Sequence, residues 1–85
     1  MAALKDHLKK LILKPSVVTE IESVPAIKER QQIIKRIGLL LDNPRPPGCA
    51  KISGYDRYRI RQGSHYIVYG IEDDELVVYV LKDRN

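Results

Sequence analysis

Apolar positions change spacing along this chain, and each change marks an element. From Ala26 to Asp42 they fall at Ile27, Ile33, Ile34, Ile37, Leu40 and Leu41, while Lys28, Glu29, Arg30, Gln32, Lys35 and Arg36 fill the other side. That spacing predicts an amphipathic helix over 26–42. Just before it, Val17, Val18, Ile21 and Val24 predict a shorter helix. Ser16 is its candidate N-cap, and Pro25 ends it and offers a first residue for the next helix. A proline between two helical stretches favours a hairpin over a single rod. Lys10–Lys14 reads as a short strand stopped by Pro15, and residues 1–8 as a loose lead-in with some helical character.

After residue 42 the pattern turns to period two. Asn43-Pro44-Arg45-Pro46-Pro47-Gly48 is stiff and extended, and suits neither helix nor central strand. In 57–61, Tyr58 and Ile60 share one face, opposite Arg57, Arg59 and Arg61. Gln62-Gly63-Ser64 reads as a hairpin turn. The next strand, 65–71, sets His65, Ile67, Tyr69 and Ile71 against Tyr66, Val68 and Gly70. Glu72-Asp73-Asp74-Glu75 is a second turn. The run 76–81, nearly all apolar and rich in valine, reads as a central strand covered on both sides. The order is a strand, two helices, then three strands. It predicts an α+β fold with the helices on one face of a mostly antiparallel sheet.

Composition narrows the classes. The chain has 85 residues, 44% hydrophobic and 31% charged. This is a folded composition, sized for a single domain over 1–85 whose small core leaves room for a partner to share burial. No apolar run approaches the roughly 20 residues of a membrane span, and MAALKDHLKK has no secretory apolar stretch, so the expected compartment is the cytoplasm, with no membrane role. One cysteine excludes an internal disulfide, and one cysteine with two histidines falls short of a four-ligand zinc site.

Net charge is +4, and its distribution matters more than its size. Lys51, Arg57, Arg59 and Arg61 precede an acidic turn. Side chains two apart on a strand lie about 7 Å apart, near the spacing of successive phosphates in a nucleic-acid strand. Tyr66 on the neighbouring strand could join that face and stack on a base. A charged, solvated sheet face, or a surface paired with an acidic partner protein, is an equal reading on spacing alone. Cleavage through a ribose 2′-hydroxyl needs a base, an acid and cations for the phosphorane. Arginine serves the last role well and the first poorly. His65 alternates onto the core side, so a structural histidine is expected there. His7 sits in the lead-in. Cys49, after Pro-Pro-Gly, reads as a structural thiol, and the four acidic turn residues as a solvated tip.

The run from Asn43 to Gly54, followed by Tyr58-Arg59-Ile60-Arg61, Tyr66-Ile67-Val68-Tyr69 and Leu76-Val77-Val78-Tyr79-Val80-Leu81, resembles the RelE/ParE superfamily of bacterial toxins. The resemblance implies a strand, a helical hairpin and a curved antiparallel sheet. It implies the toxin of a type II toxin–antitoxin system, partnered by a cognate antitoxin in a possible hetero-oligomer. RelE-type members cut mRNA on the ribosome, whereas ParE-type members poison DNA gyrase. Under the RelE-type reading Arg59 and Arg61 match the basic strand positions and hold the scissile phosphate. Tyr66 stacks on a base, and Arg84 stands in for a tail arginine of the family. Lys51, Arg57 and Lys82 track ribosomal or messenger RNA. The 2′-hydroxyl supplies the nucleophile, so neither metal nor cofactor is expected. The chain departs from the family where Tyr66 replaces an arginine, His65 a tyrosine and Ser53 a lysine, and a tail tyrosine has no counterpart. Those departures keep open a ParE-type gyrase inhibitor or a catalytically impaired relative that acts by binding antitoxin, and more distantly a plain RNA-binding domain.

Overall fold

Two prolines place the helical hairpin differently from the capping motif in the sequence. In the computed structural model, which describes residues 8–83, the first strand does end before Pro15, and Pro15 is also the first residue of helix α1 (Pro15–Ser23). Lys14 takes the N-cap position, and no side chain caps the helix. Proline's fixed φ suits the first helical turn, and its missing N–H needs no partner there. Ser16 therefore lies inside the helix and not at its cap. Helix α2 (Ile27–Asp42) starts after Ala26 as N-cap, so Pro25 stays outside it.

Strand β1 (Lys10–Leu13) precedes the helices. Strands β2 (Ala50–Lys51), β3 (Tyr58–Gln62), β4 (His65–Glu72) and β5 (Glu75–Asp83) follow them. Their order across the sheet is β1-β5-β4-β3-β2, with β1 parallel to β5 and every other pair antiparallel. The α+β expectation holds, with one strand more than the sequence pattern gave. Strand β2 has only two residues, too short for any periodicity to register.

Both helices pack on one face of the sheet. Val17, Ile21 and Val24 meet Ile33, Ile37 and Leu40, and both groups rest on Ile60, Ile67, Tyr69, Leu76, Val78 and Leu81. The buried stripe of α2 is narrower than the sequence pattern drew it, since Ile27 and Ile34 stay exposed. Strand β5 is interior, flanked by β1 and β4, but the middle of the sheet is β4. Only Leu76, Val77 and Val78 of β5 are buried in succession.

The reason is a β-bulge. Val68 pairs with Val80 and Tyr69 with Val78, which leaves Tyr79 without a cross-strand partner. Strict alternation from Leu76 would have buried Val80 and exposed Leu81. The inserted residue reverses that: Val80 is 38% exposed and Leu81 5%. Among the described residues, no helix is long and apolar enough to cross a membrane.

The proline-rich connector is anchored from inside. The Tyr69 hydroxyl donates to the Pro44 carbonyl at 2.6 Å, and Pro44 itself is buried. Burial, reinforced by the neighbouring Cys49, pushes the Tyr69 phenol well above its ordinary 10.0. Tyr69→Phe should cost about 1 kcal/mol at neutral pH, because the Pro44 carbonyl loses its donor. The unfolded chain ionises this phenol near its ordinary value while the folded chain holds the proton. Its contribution is thus complete below about pH 10 and falls as pH rises further. Urea unfolding at neutral pH and at about pH 11 should show the variant's deficit shrinking. A constant deficit would mean that the phenol's burial is not what raises its ionisation.

Candidate functional site

The face of the sheet away from the helices is set by register. Residues directly opposite on paired strands share a face. Arg61 lies opposite Tyr66, and Tyr66 opposite Lys82, so these three form a row across β3, β4 and β5. One step along, Arg59, Val68 and Val80 form the next row. Core residues Ile60 and Ile67 sit between these rows but point to the helices. Exposed arginines and buried isoleucine on one strand are a direct result of its period-two sequence.

Arg59, Arg61 and Tyr66 line a pocket of about 380 Å³, backed by Gly48 and Ala50. The Arg59 guanidinium sits 5.8 Å from the centre of the Tyr66 ring, within cation–π range. The floor is small because Gly48 and Ala50 carry little or no side chain. Gly48 adopts φ 94°, a backbone that disfavours other residues, as the chain turns from the connector into β2. Two guanidiniums beside an aromatic ring in an open pocket make a site for an anion attached to a planar group.

Arg57 lies just ahead of β3 and reaches the same side. Its guanidinium stacks 3.7 Å from the centre of the Tyr79 ring. Lys51 goes elsewhere: it pairs with Tyr58, whose side faces the helices, and makes a 4.0 Å ion pair with Asp56. Arg84 and His7 lie outside the described residues.

The sequence over residues 4–82 matches the family described as the ParE toxin of type II toxin–antitoxin systems. This chain belongs to that family. Solved structures similar to the toxin include the archaeal RelE–RelB complex of Pyrococcus horikoshii, with a TM-score of 0.75 at 20% identity, covering 95% of this chain and 98% of that one. A mutant of Escherichia coli RelE in the free state gives 0.71 at 20%, covering 87% of the toxin and 81% of that chain. The RelB–RelE complex of Methanococcus jannaschii gives 0.70 at 23%, covering 86% and 90%. At these identities the likeness establishes the fold. No curated protein matches the toxin significantly.

His65 of the toxin is on the core side, as its alternation predicts, and is 5% exposed. Its Nδ1 lies 3.3 Å from a Glu29 carboxylate oxygen and its Nε2 3.9 Å from one of Glu20. Ser64 Oγ donates to the same Glu29 oxygen at 2.9 Å. This knot ties the β3–β4 turn to both helices. It lies across the sheet from Arg59 and Arg61. Cys49 packs partly buried against the core. Among the described residues, no three His, Cys, Asp or Glu side chains converge as metal ligands.

Sequence reasoning missed Gly48 and Ala50 as pocket floor, and Tyr79 as a residue of the open face. A small-residue run before a basic strand was the available signal for the first. Alternation from Leu76 and Val78 was the available signal for Tyr79; the bulge displaces Val80 and Leu81 from the simple pattern, not Tyr79.

Proposed function

We propose that this toxin is a metal-independent, ribosome-dependent mRNA endonuclease, held inactive by a cognate antitoxin. The observation that carries the reading is the pocket that joins Arg59, Arg61 and Tyr66 on a sheet face that neither helix covers. Arg59 and Arg61 neutralise the scissile phosphate and the extra charge of its phosphorane. Tyr66 stacks on an adjoining base, and Lys82, in the same row, extends the positive track. With His65 turned to the core, no histidine is among the described residues that line the pocket. The toxin's own residues therefore contribute charge stabilisation and alignment, and the ribosome supplies the substrate in position. Arg84 is the auxiliary cation in this reading. Arg57 contacts flanking RNA, whereas Lys51, on the helix side of the sheet and paired with Asp56, takes no part in this track.

The antitoxin partner is supported by two of the similar structures, which are RelE–RelB complexes. Exposed Ile27, Ile34 and Leu39 on α2 offer it apolar area on the side away from the pocket.

The test is cleavage on programmed ribosomes, with mRNA ends mapped by primer extension and free mRNA as control. Cuts at the A-site codon, only with ribosomes, are expected. The second reading, a DNA gyrase inhibitor or a catalytically impaired relative acting through its antitoxin, is favoured by the ParE family match. It predicts no cuts at concentrations that still arrest growth, together with gyrase-dependent DNA breaks.

A further inference from the structure

The stack of Arg57 on Tyr79 is built more firmly than a surface contact requires. Tyr79 alternates from buried Val78 onto the open face, the bulge brings Val80 onto that face beside it, and the Tyr79 hydroxyl donates to the Glu72 carboxylate. That bond, followed by burial, raises the Tyr79 phenol above its ordinary range. Gly70 makes room for it. A Cβ at Gly70 would stand 3.1 Å from Tyr79 Cε2 and 3.3 Å from the Asp56 carbonyl oxygen. The ring is thus held at its hydroxyl end by Glu72 and fits over a strand position where only glycine is easily placed. Lys14 Nζ adds a second cation 5.7 Å from the ring centre.

A flexible arginine normally loses rotamer freedom when it grips a ligand. Arg57 has already lost much of it, because Tyr79 fixes the plane of its guanidinium. The N–H edge of that plane remains a fork for a phosphate, and a guanidinium plane is also a surface on which unpaired bases stack. Arg57 precedes Arg59 by two residues, which is about 7 Å along an extended chain. Of the acidic groups nearby, Glu72 accepts from the Tyr79 hydroxyl while keeping its charge, and Asp56 makes an ion pair with Lys51. Arg57, Arg59, Arg61 and Lys82 give the face a positive charge that complements a single strand of RNA.

We infer that Tyr79, seated over Gly70 and held by Glu72, is a positioning residue that presents Arg57 as a second nucleotide subsite, one step along the RNA from the Arg59–Arg61–Tyr66 pocket. The inference rests on the reading of this face as an RNA site, and it adds a residue and a subsite to that reading.

The experiment is fluorescence anisotropy of a labelled, short single-stranded oligouridylate with the purified toxin. Tyr79→Leu removes the platform and should weaken binding about tenfold, the scale of one charged contact. Tyr79→Phe keeps the ring under Arg57 and should stay within about threefold of the parent, since only the bond to Glu72 is lost. Arg57→Lys keeps the charge but not the plane, and should lose about as much as Tyr79→Leu. Adding Tyr79→Leu to Arg57→Ala should cost nothing further, because Tyr79 acts through Arg57. Arg57→Lys is a surface change that keeps the test sound even if Tyr79→Leu does not fold. Parental affinity in Arg57→Lys, or losses that simply add in the double variant, would overturn the subsite while Arg59→Ala still weakens binding. No binding by the parent toxin would overturn the RNA reading of the whole face, and the subsite with it.

Discussion

Alanine at both Arg59 and Arg61 is expected to abolish growth arrest while leaving the fold intact. Each arginine is exposed on β3, so neither supports the core. A charge-assisted contact to phosphate contributes about 1.5–3 kcal/mol, and two neighbouring contacts couple. Even with incomplete additivity the pair should weaken RNA binding by about a hundredfold. Single variants should each lose about tenfold. Part of the loss at Arg59 is its cation–π contact with Tyr66, which orients the ring. Thermal unfolding should be unchanged within about 0.5 kcal/mol, as for other exposed substitutions. Undiminished arrest by a folded double variant would remove these arginines from the site.

His65→Ala should do the reverse. Its imidazole is buried between Glu20 and Glu29 and fills space at the junction of both helices with the β3–β4 turn. Removing it leaves a cavity and strips two carboxylates of a partner in a partly buried place. The expected loss is about 3 kcal/mol, combining cavity and unsatisfied-polar terms. In a domain this small that lowers the melting temperature by roughly 12–24 °C. RNA affinity per folded molecule should match the parent, because the knot lies on the far side of the sheet from the arginines. Calorimetry paired with anisotropy separates the two effects. A loss of cleavage at unchanged stability would make His65 a functional residue and contradict its burial.

How much of this was legible depended on the range of the forces involved. Ile33, Ile37 and Leu40 declared their helix face because amphipathic spacing is local. The same holds for Ile60 against Arg59 and Arg61, and for His65 on the core side. Pro15 and Pro25 were misread in detail, since a capping motif at Ser16 competes with proline's own preference for the first turn, and the backbone decides. Strand β2 exists only because β3 is beside it. The bulge at Tyr79 follows from the pairing of two strands, which no single strand's pattern contains. That is why Val80 and Leu81 exchanged sides, whereas the Arg57–Tyr79 stack was missed because the run 76–81 reads as covered on both sides. The Gly48–Ala50 floor became meaningful only when the connector was seen to pass behind Arg59 and Arg61.

The parallel pairing of β1 with β5 governs how the toxin comes into being. Lys10 is matched with Glu75 and Leu13 with Val78, so the first strand waits for the last. Contacts of such long sequence separation are slow to form, because loop closure precedes any gain from pairing. During synthesis β1 and the helical hairpin emerge first, with an apolar face and no sheet beneath it. The arginine row also stays incomplete until Lys82 has been made and β5 has slid between β1 and β4. A nascent chain therefore cannot assemble this row until the residues of β5 have left the ribosome that makes it. The interval before sheet closure is a window in which a partner can meet the exposed hairpin before that row is complete.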